Sequence, residues 1–182
     1  MMAPVDPRQL VFLDETSTHT AMARRRARAP RGQRAGGVVP RNHGSNVTLL
    51  ATLGPTGIDA PCVIAGATDR AVFTAYVDQV LVPTLRPGQT VVLDNLNVHK
   101  NRATRQRIEA AGCRLVFLPT YSPDFNPIEQ AFSKIKTQLR RTAARTFDDL
   151  VPAIRAAIDA ITPADAQGFF AHAGYPLPAQ LF

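Results

Sequence analysis

The chain has too few cysteines for a disulfide framework: Cys62 and Cys113 are the only two in 182 residues. Two thiols also fall short of a zinc site, and both absences fit a reducing cytoplasm. No apolar run approaches the ~18 residues that a membrane-crossing helix needs. Met1 to Asp6 shows no basic flank leading into an apolar segment, so no signal peptide is expected. Internal repeats and heptad runs are missing as well. The most informative absence is of acid. Between Glu15 and Asp59 there is no Asp or Glu, and the same interval carries Arg24, Arg25, Arg26, Arg28, Arg31, Arg34 and Arg41.

What is present is a globular composition, 45% hydrophobic and 19% charged, of a size that forms one domain with its own core. The net charge is +7. A second acid-free window, residues 130–147, holds Lys134, Lys136, Arg140, Arg141 and Arg145, and a third basic cluster is Lys100, Arg102, Arg105 and Arg107. Clusters of this density suit a polyanion, because neutralising phosphates releases counterions. A basic, solvated surface is the plainer alternative.

Hydrophobic patterning predicts a strand over 9–14, a strand over 46–53, a turn at Gly54-Pro55-Thr56-Gly57 and a third strand over 61–65, the last two forming a hairpin. A helix follows over 69–83, then a strand over 90–94, a basic helix over 101–111 and a strand over 114–118. After a loop from Pro119 to Phe125, helices are expected at 127–142 and 147–161. Residues 16–45 read as an arginine-rich arm or long loop, and 163–182 as a tail with a short helix and an extended end. The last two strands, joined through a helix, require a parallel crossover. The expected fold class is therefore α/β, a mixed sheet with helices packed on it.

Three carboxylates stand where chemistry collects. Asp14 and Asp94 end apolar strands, and Glu129 lies in the first turn of the helix after the fifth strand. Parallel neighbours deliver their carboxyl ends to one edge of a sheet, where ligands of open α/β folds bind. Three acids at one edge suit hard divalent cations, Mg²⁺ or Mn²⁺. Two such ions about 3.5–4 Å apart activate the attacking and leaving oxygens of a phosphodiester displacement. Each acid also has an ordinary reading. Asp14 suits a strand exit and Asp94-Asn95 a turn. Asn126-Pro127-Ile128-Glu129 reads as a helix start with Asn126 at the N-cap and Glu129 in a capping box. Along that helix Ile128, Phe132, Ile135 and Leu139 form an apolar stripe, while Glu129, Lys136 and Arg140 share a flank able to follow a nucleic-acid strand.

Three segments carry a family resemblance: Val11-Phe12-Leu13-Asp14-Glu15-Thr16, the run from Val91 to Lys100 (VVLDNLNVHK), and the run from Leu118 to Glu129 (LPTYSPDFNPIE). Between Asp94 and Glu129 lie 34 residues. The chain resembles, over nearly its whole length, the catalytic domain of DDE transposases, in particular bacterial insertion-sequence transposases of the mariner-like superfamily. Ala29-Pro30-Arg31-Gly32 and Pro40-Arg41-Asn42-His43-Gly44 add to the likeness.

The resemblance implies a ribonuclease-H-like fold with a five-stranded mixed sheet flanked by helices. It implies a metal-dependent DNA transposase that cleaves at transposon ends and joins 3′-OH ends to target DNA. Asp14, Asp94 and Glu129 would hold two Mg²⁺ or Mn²⁺ ions, with Asn95, Asn97, His99, Lys100 and Asn126 near the site. DNA is the expected partner, through Arg24, Arg25, Arg26, Arg28, Arg31, Lys100, Lys136 and Arg140, and a homodimer on DNA the expected assembly. Residues 1–182 would form one catalytic domain. The helix-turn-helix region that precedes it in the family would be absent, as expected of a second reading frame, a truncated copy or an excised fragment. The rival readings are a structure-specific nuclease of the same fold and a non-catalytic DNA-binding remnant.

Overall fold

The computed structural model describes residues 5–42, 46–95 and 102–177. Five strands form one sheet in the order β3-β2-β1-β4-β5. They are β1 (Leu10–Thr18), β2 (Val47–Gly54), β3 (Gly57–Ala65), β4 (Thr90–Leu93) and β5 (Arg114–Phe117). β1 pairs antiparallel with β2, and β2 with β3. On its other side β1 pairs parallel with β4, and β4 with β5. The mixed sheet expected from the order of elements is the one observed.

The hairpin between β2 and β3 closes on Pro55-Thr56, with Gly54 opposite Gly57. β3 is longer than its apolar stretch suggests and begins at Gly57. Its pairing with β2 shifts between Leu50 and Thr52, so Ala60 and Pro61 both stand opposite Ala51. That is a β-bulge, and a bulge on an edge strand is one of the few places where a sheet accepts proline. Ala60 takes the left-handed conformation there (φ 48°) and is fixed by the Tyr76 hydroxyl, which donates to its carbonyl at 2.9 Å.

Five α-helices cover the faces: α1 (Arg70–Tyr76), α2 (Arg102–Ala110), α3 (Ile128–Thr142), α4 (Phe147–Asp159) and α5 (Pro163–His172). α1 continues through a wide turn, Val77–Leu81, and a tight one, Val82–Thr84. Alternation along the strands splits the core in two. Leu10, Phe12, Leu49, Ala51, Leu53 and Val92 face α3, α4 and α5, where Ile128, Phe132, Ile135, Leu139, Leu150, Ile154 and Phe170 meet them. Leu13, Leu50, Val91, Leu93 and Leu115 face the opposite side, against Phe73, Tyr76, Val77, Leu81 and Ile108. Phe12 is fully buried, with the Phe170 ring edge-on at 5.4 Å between centroids.

Two expectations need correction here. The first strand does not stop at Asp14 but runs to Thr18, because residues up to Thr18 continue to pair with β2 after β4 has ended. The arginine-rich arm therefore starts later than residue 16: Ala21 and Met22 are still buried, and the exposed, irregular stretch begins beyond them. In the tail, only α5 and the few residues after it lie among those described; residues 178–182 fall outside them.

Candidate active site

Strand register brings the two aspartates together. Leu13 is paired with Leu93 across the parallel β1–β4 ladder, so Asp14 and Asp94 are the next residues on neighbouring strands. Adjacent strands lie about 4.8 Å apart. By alternation Asp14 shares the face of Leu10 and Phe12, which is the side covered by α3. Asp14 is buried at 7% exposure, whereas Asp94 is half-buried.

The Asp14 carboxylate is held at both oxygens. Its Oδ1 accepts the Glu15 backbone N–H at 2.7 Å, and its Oδ2 accepts the side-chain amide of Asn126 at 2.7 Å. The Asn126 contact is buried and crosses 112 residues of sequence. It overturns the reading of Asn126 as a helix cap: a cap would use the side-chain oxygen, and Asn126 Oδ1 accepts no hydrogen bond among the described residues, while the amide nitrogen is turned to Asp14. A charge-assisted bond to a buried carboxylate is stronger than an ordinary cap, so it sets the orientation of the Asn126 side chain. The Asn126 main chain still serves the helix, its carbonyl accepting the Glu129 N–H at 3.2 Å.

The loop leading into α3 is fastened beside the β4 end. Leu118 N–H donates to the Leu93 carbonyl at 2.8 Å, extending the β4–β5 pairing by one step. Asn95, next to Asp94, donates its amide to the Thr120 hydroxyl at 2.9 Å. Tyr175, beyond α5, donates its hydroxyl to the Phe125 carbonyl at 3.1 Å. Tyr175 and Thr120 carry no sequence signal for these roles, because each acts through a tertiary contact with a loop.

Glu129 sits exposed on the first turn of α3, one turn from Asn126. It does not join the aspartates in a closed cluster: among the described residues, no group of three or more His, Cys, Asp and Glu side chains is gathered to hold a metal ion. The donors at the sheet edge nonetheless suit a hard cation. Asp14 and Asp94 supply carboxylate oxygens, and Asn126 Oδ1 is buried with no hydrogen-bond partner among the described residues. Asn97, His99 and Lys100 lie outside the described residues.

The flank of α3 matches its expected grouping in part. Lys136 is half-buried, and that burial lowers its pKa; Glu129 opposes the shift, while Arg140 and Arg25 reinforce it. Glu129, Lys136, Arg140 and the arm residue Arg25 therefore share one electrostatic neighbourhood. Arg24, Arg25, Arg26, Arg28 and Arg31 are all exposed. The arm is tied at its root by Arg145, whose guanidinium donates to the carbonyls of Thr20 at 2.9 Å and Met22 at 3.0 Å.

A five-stranded mixed sheet with acids at the ends of neighbouring parallel strands and helices on both faces is a ribonuclease-H-like architecture. The chain belongs to the DDE superfamily of endonucleases, whose family model matches residues 9–151. No curated protein sequence matches it significantly. Solved structures share the fold at low identity. A pre-cleavage Mos1 transpososome matches with a TM-score of 0.70 at 16% identity, over 92% of this chain and 56% of that one. A Mos1 mariner paired-end complex with Mn matches with a TM-score of 0.70 at 16% identity, over 91% of this chain and 52% of that one. The catalytic domain of Mos1 mariner transposase matches with a TM-score of 0.68 at 14% identity, over 93% of this chain and 79% of that one. The chain thus spans about half the length of the chains in the transpososome and the paired-end complex. Among the described residues, no helix is long and apolar enough to cross a membrane.

Proposed function

We propose that the chain is the catalytic domain of a DNA transposase, a metal-dependent endonuclease that nicks at transposon ends and joins the freed 3′-OH to target DNA. The observation that carries this reading is the Leu13–Leu93 register, which sets Asp14 beside Asp94 at a sheet edge in a member of the DDE endonuclease superfamily. Asp14, Asp94 and Glu129 would hold two Mg²⁺ or Mn²⁺ ions. Bound there, the metals would supply an activated nucleophile and charge stabilisation at the phosphorus. The chain's own residues do the rest. Asn126 and the Glu15 N–H orient Asp14. Lys136, Arg140 and the arm arginines hold the phosphate backbone, and a homodimer on paired ends is the expected assembly.

Nicking and joining of a labelled DNA substrate in Mg²⁺ or Mn²⁺ test the proposal. Asp14→Asn, Asp94→Asn and Glu129→Gln should each abolish nicking while DNA binding persists. Equal activity in any of the three would refute its assignment. Strand-joining products distinguish a transposase from a structure-specific nuclease, which makes none. The rival reading is a non-catalytic DNA-binding remnant. It requires that calorimetry show no Mn²⁺ binding dependent on Asp14.

A further inference from the structure

Asn126 does two jobs with one residue. Its side-chain amide donates to Asp14 Oδ2 at 2.7 Å, and its carbonyl accepts the N–H of Glu129. It is 5% exposed, so water does not compete for the bond to Asp14. With the Glu15 N–H on Oδ1, this leaves the Asp14 carboxylate little freedom to rotate. The amide oxygen of Asn126, buried and unpartnered among the described residues, would cost stability in a purely structural role. A residue that only needed to start a helix would turn its side-chain oxygen onto the first-turn N–H groups, and here Asn126 Oδ1 accepts no hydrogen bond among the described residues.

We propose that Asn126 is a positioning residue: it fixes the orientation of the Asp14 carboxylate for a divalent cation and locks the start of α3, with Glu129, to β1. The inference rests on the proposed function, since it concerns the same site. Residues that hydrogen-bond a metal-ligating group typically change metal affinity or activity by about 10–100-fold when removed.

The test uses the 182-residue chain with Mn²⁺ and Mg²⁺ as probes. Asn126→Leu keeps the side-chain size without the donor, and Asn126→Ser keeps polarity without the reach. Both should weaken Mn²⁺ binding by about 10–100-fold in calorimetry. Both should lower kcat for nicking while leaving DNA affinity within about twofold, and part of the lost rate should return at raised Mn²⁺. A residue needed only for folding would lower Tm without making activity depend more steeply on metal. In wild-type protein, the Asn126 side-chain amide signals in NMR should move on Mg²⁺ addition, and should not in Asp14→Asn.

Unchanged Mn²⁺ affinity in a folded Asn126 variant overturns the inference and leaves the proposed function standing. A wild-type chain that binds no Mn²⁺ overturns both. If neither variant folds, amide signals of Asn126 that ignore Mg²⁺ in the wild type overturn the inference alone.

Discussion

Arg145 reaches back across 123 residues to the carbonyl of Met22, at 3.0 Å, and also grips that of Thr20. Met22 is itself buried against the core beneath α3 and α4. The arginine-rich arm therefore leaves the domain from a fixed point close to α3, on the side where Arg25 feels Lys136. Arg145→Ala should release that root. Trypsin should then cut at Arg24 to Arg28 several-fold faster, with little change in the thermal midpoint because Arg145 is exposed. Cleavage at the wild-type rate would show that the two bonds do not restrain the arm.

DNA binding should fall steeply with salt, since each phosphate neutralised by a cation contributes about 0.9 to the slope of log K against log salt on duplex DNA. Replacing Arg24, Arg25 and Arg26 together by Ala should lower the slope by up to about 3 and weaken all sequences alike. Fluorescence anisotropy with unrelated duplexes over a salt series measures both effects. A slope unchanged by the triple substitution would remove the arm from the phosphate contacts.

The sequence carried the sheet almost intact, for a physical reason. Apolar runs of three to four residues such as Val91 to Leu93 and Leu10 to Leu13 are buried on both faces, and burial of that kind admits few other structures. The edge where Asp14 and Asp94 emerge followed from those runs. Pairing partners were less legible. That β1 continues to Thr18 depends on β2, which lies beyond the arm and leaves no local trace. Locally Asn126 reads as a cap, because Asn-Pro is a strong helix-start signal. Its actual partner lies 112 residues away, and a competition between a cap and a carboxylate is decided only in three dimensions. Periodicity groups Glu129 with Lys136 and Arg140, which do share an electrostatic neighbourhood, but its distance from the aspartates is a tertiary quantity that spacing does not contain.

Tyr76 fixes the bulge that lets Pro61 sit in β3. Its hydroxyl donates to the Ala60 carbonyl, and burial pushes the phenol well above its usual range. Tyr76→Phe keeps the ring and leaves that carbonyl without its donor, a loss of about 1–3 kcal/mol. Denaturant unfolding should show the midpoint falling with the slope unchanged. Equal stability would mean that the bulge is held by side-chain packing alone.

α3 and α5 are joined at one carboxylate whose charge can be titrated. Asp165 Oδ2 accepts from Lys134 Nζ at 2.6 Å and from the Thr162 hydroxyl and N–H, completing a capping box at the start of α5. The Lys134 ammonium first, and the Thr162 donors after it, hold this carboxyl well below the usual carboxylate range. A group with a depressed folded pKa stabilises the fold fully above its unfolded value, about 3.9, and loses that contribution as pH falls toward the folded value. Asp165→Asn should therefore melt below the wild type at neutral pH, by a margin that stays constant down to about pH 5. Below pH 4 the wild type should lose stability faster and the margin should close. Thermal melts from pH 3 to 7 give the comparison, and a margin independent of pH throughout would show that the ion pair contributes nothing through charge.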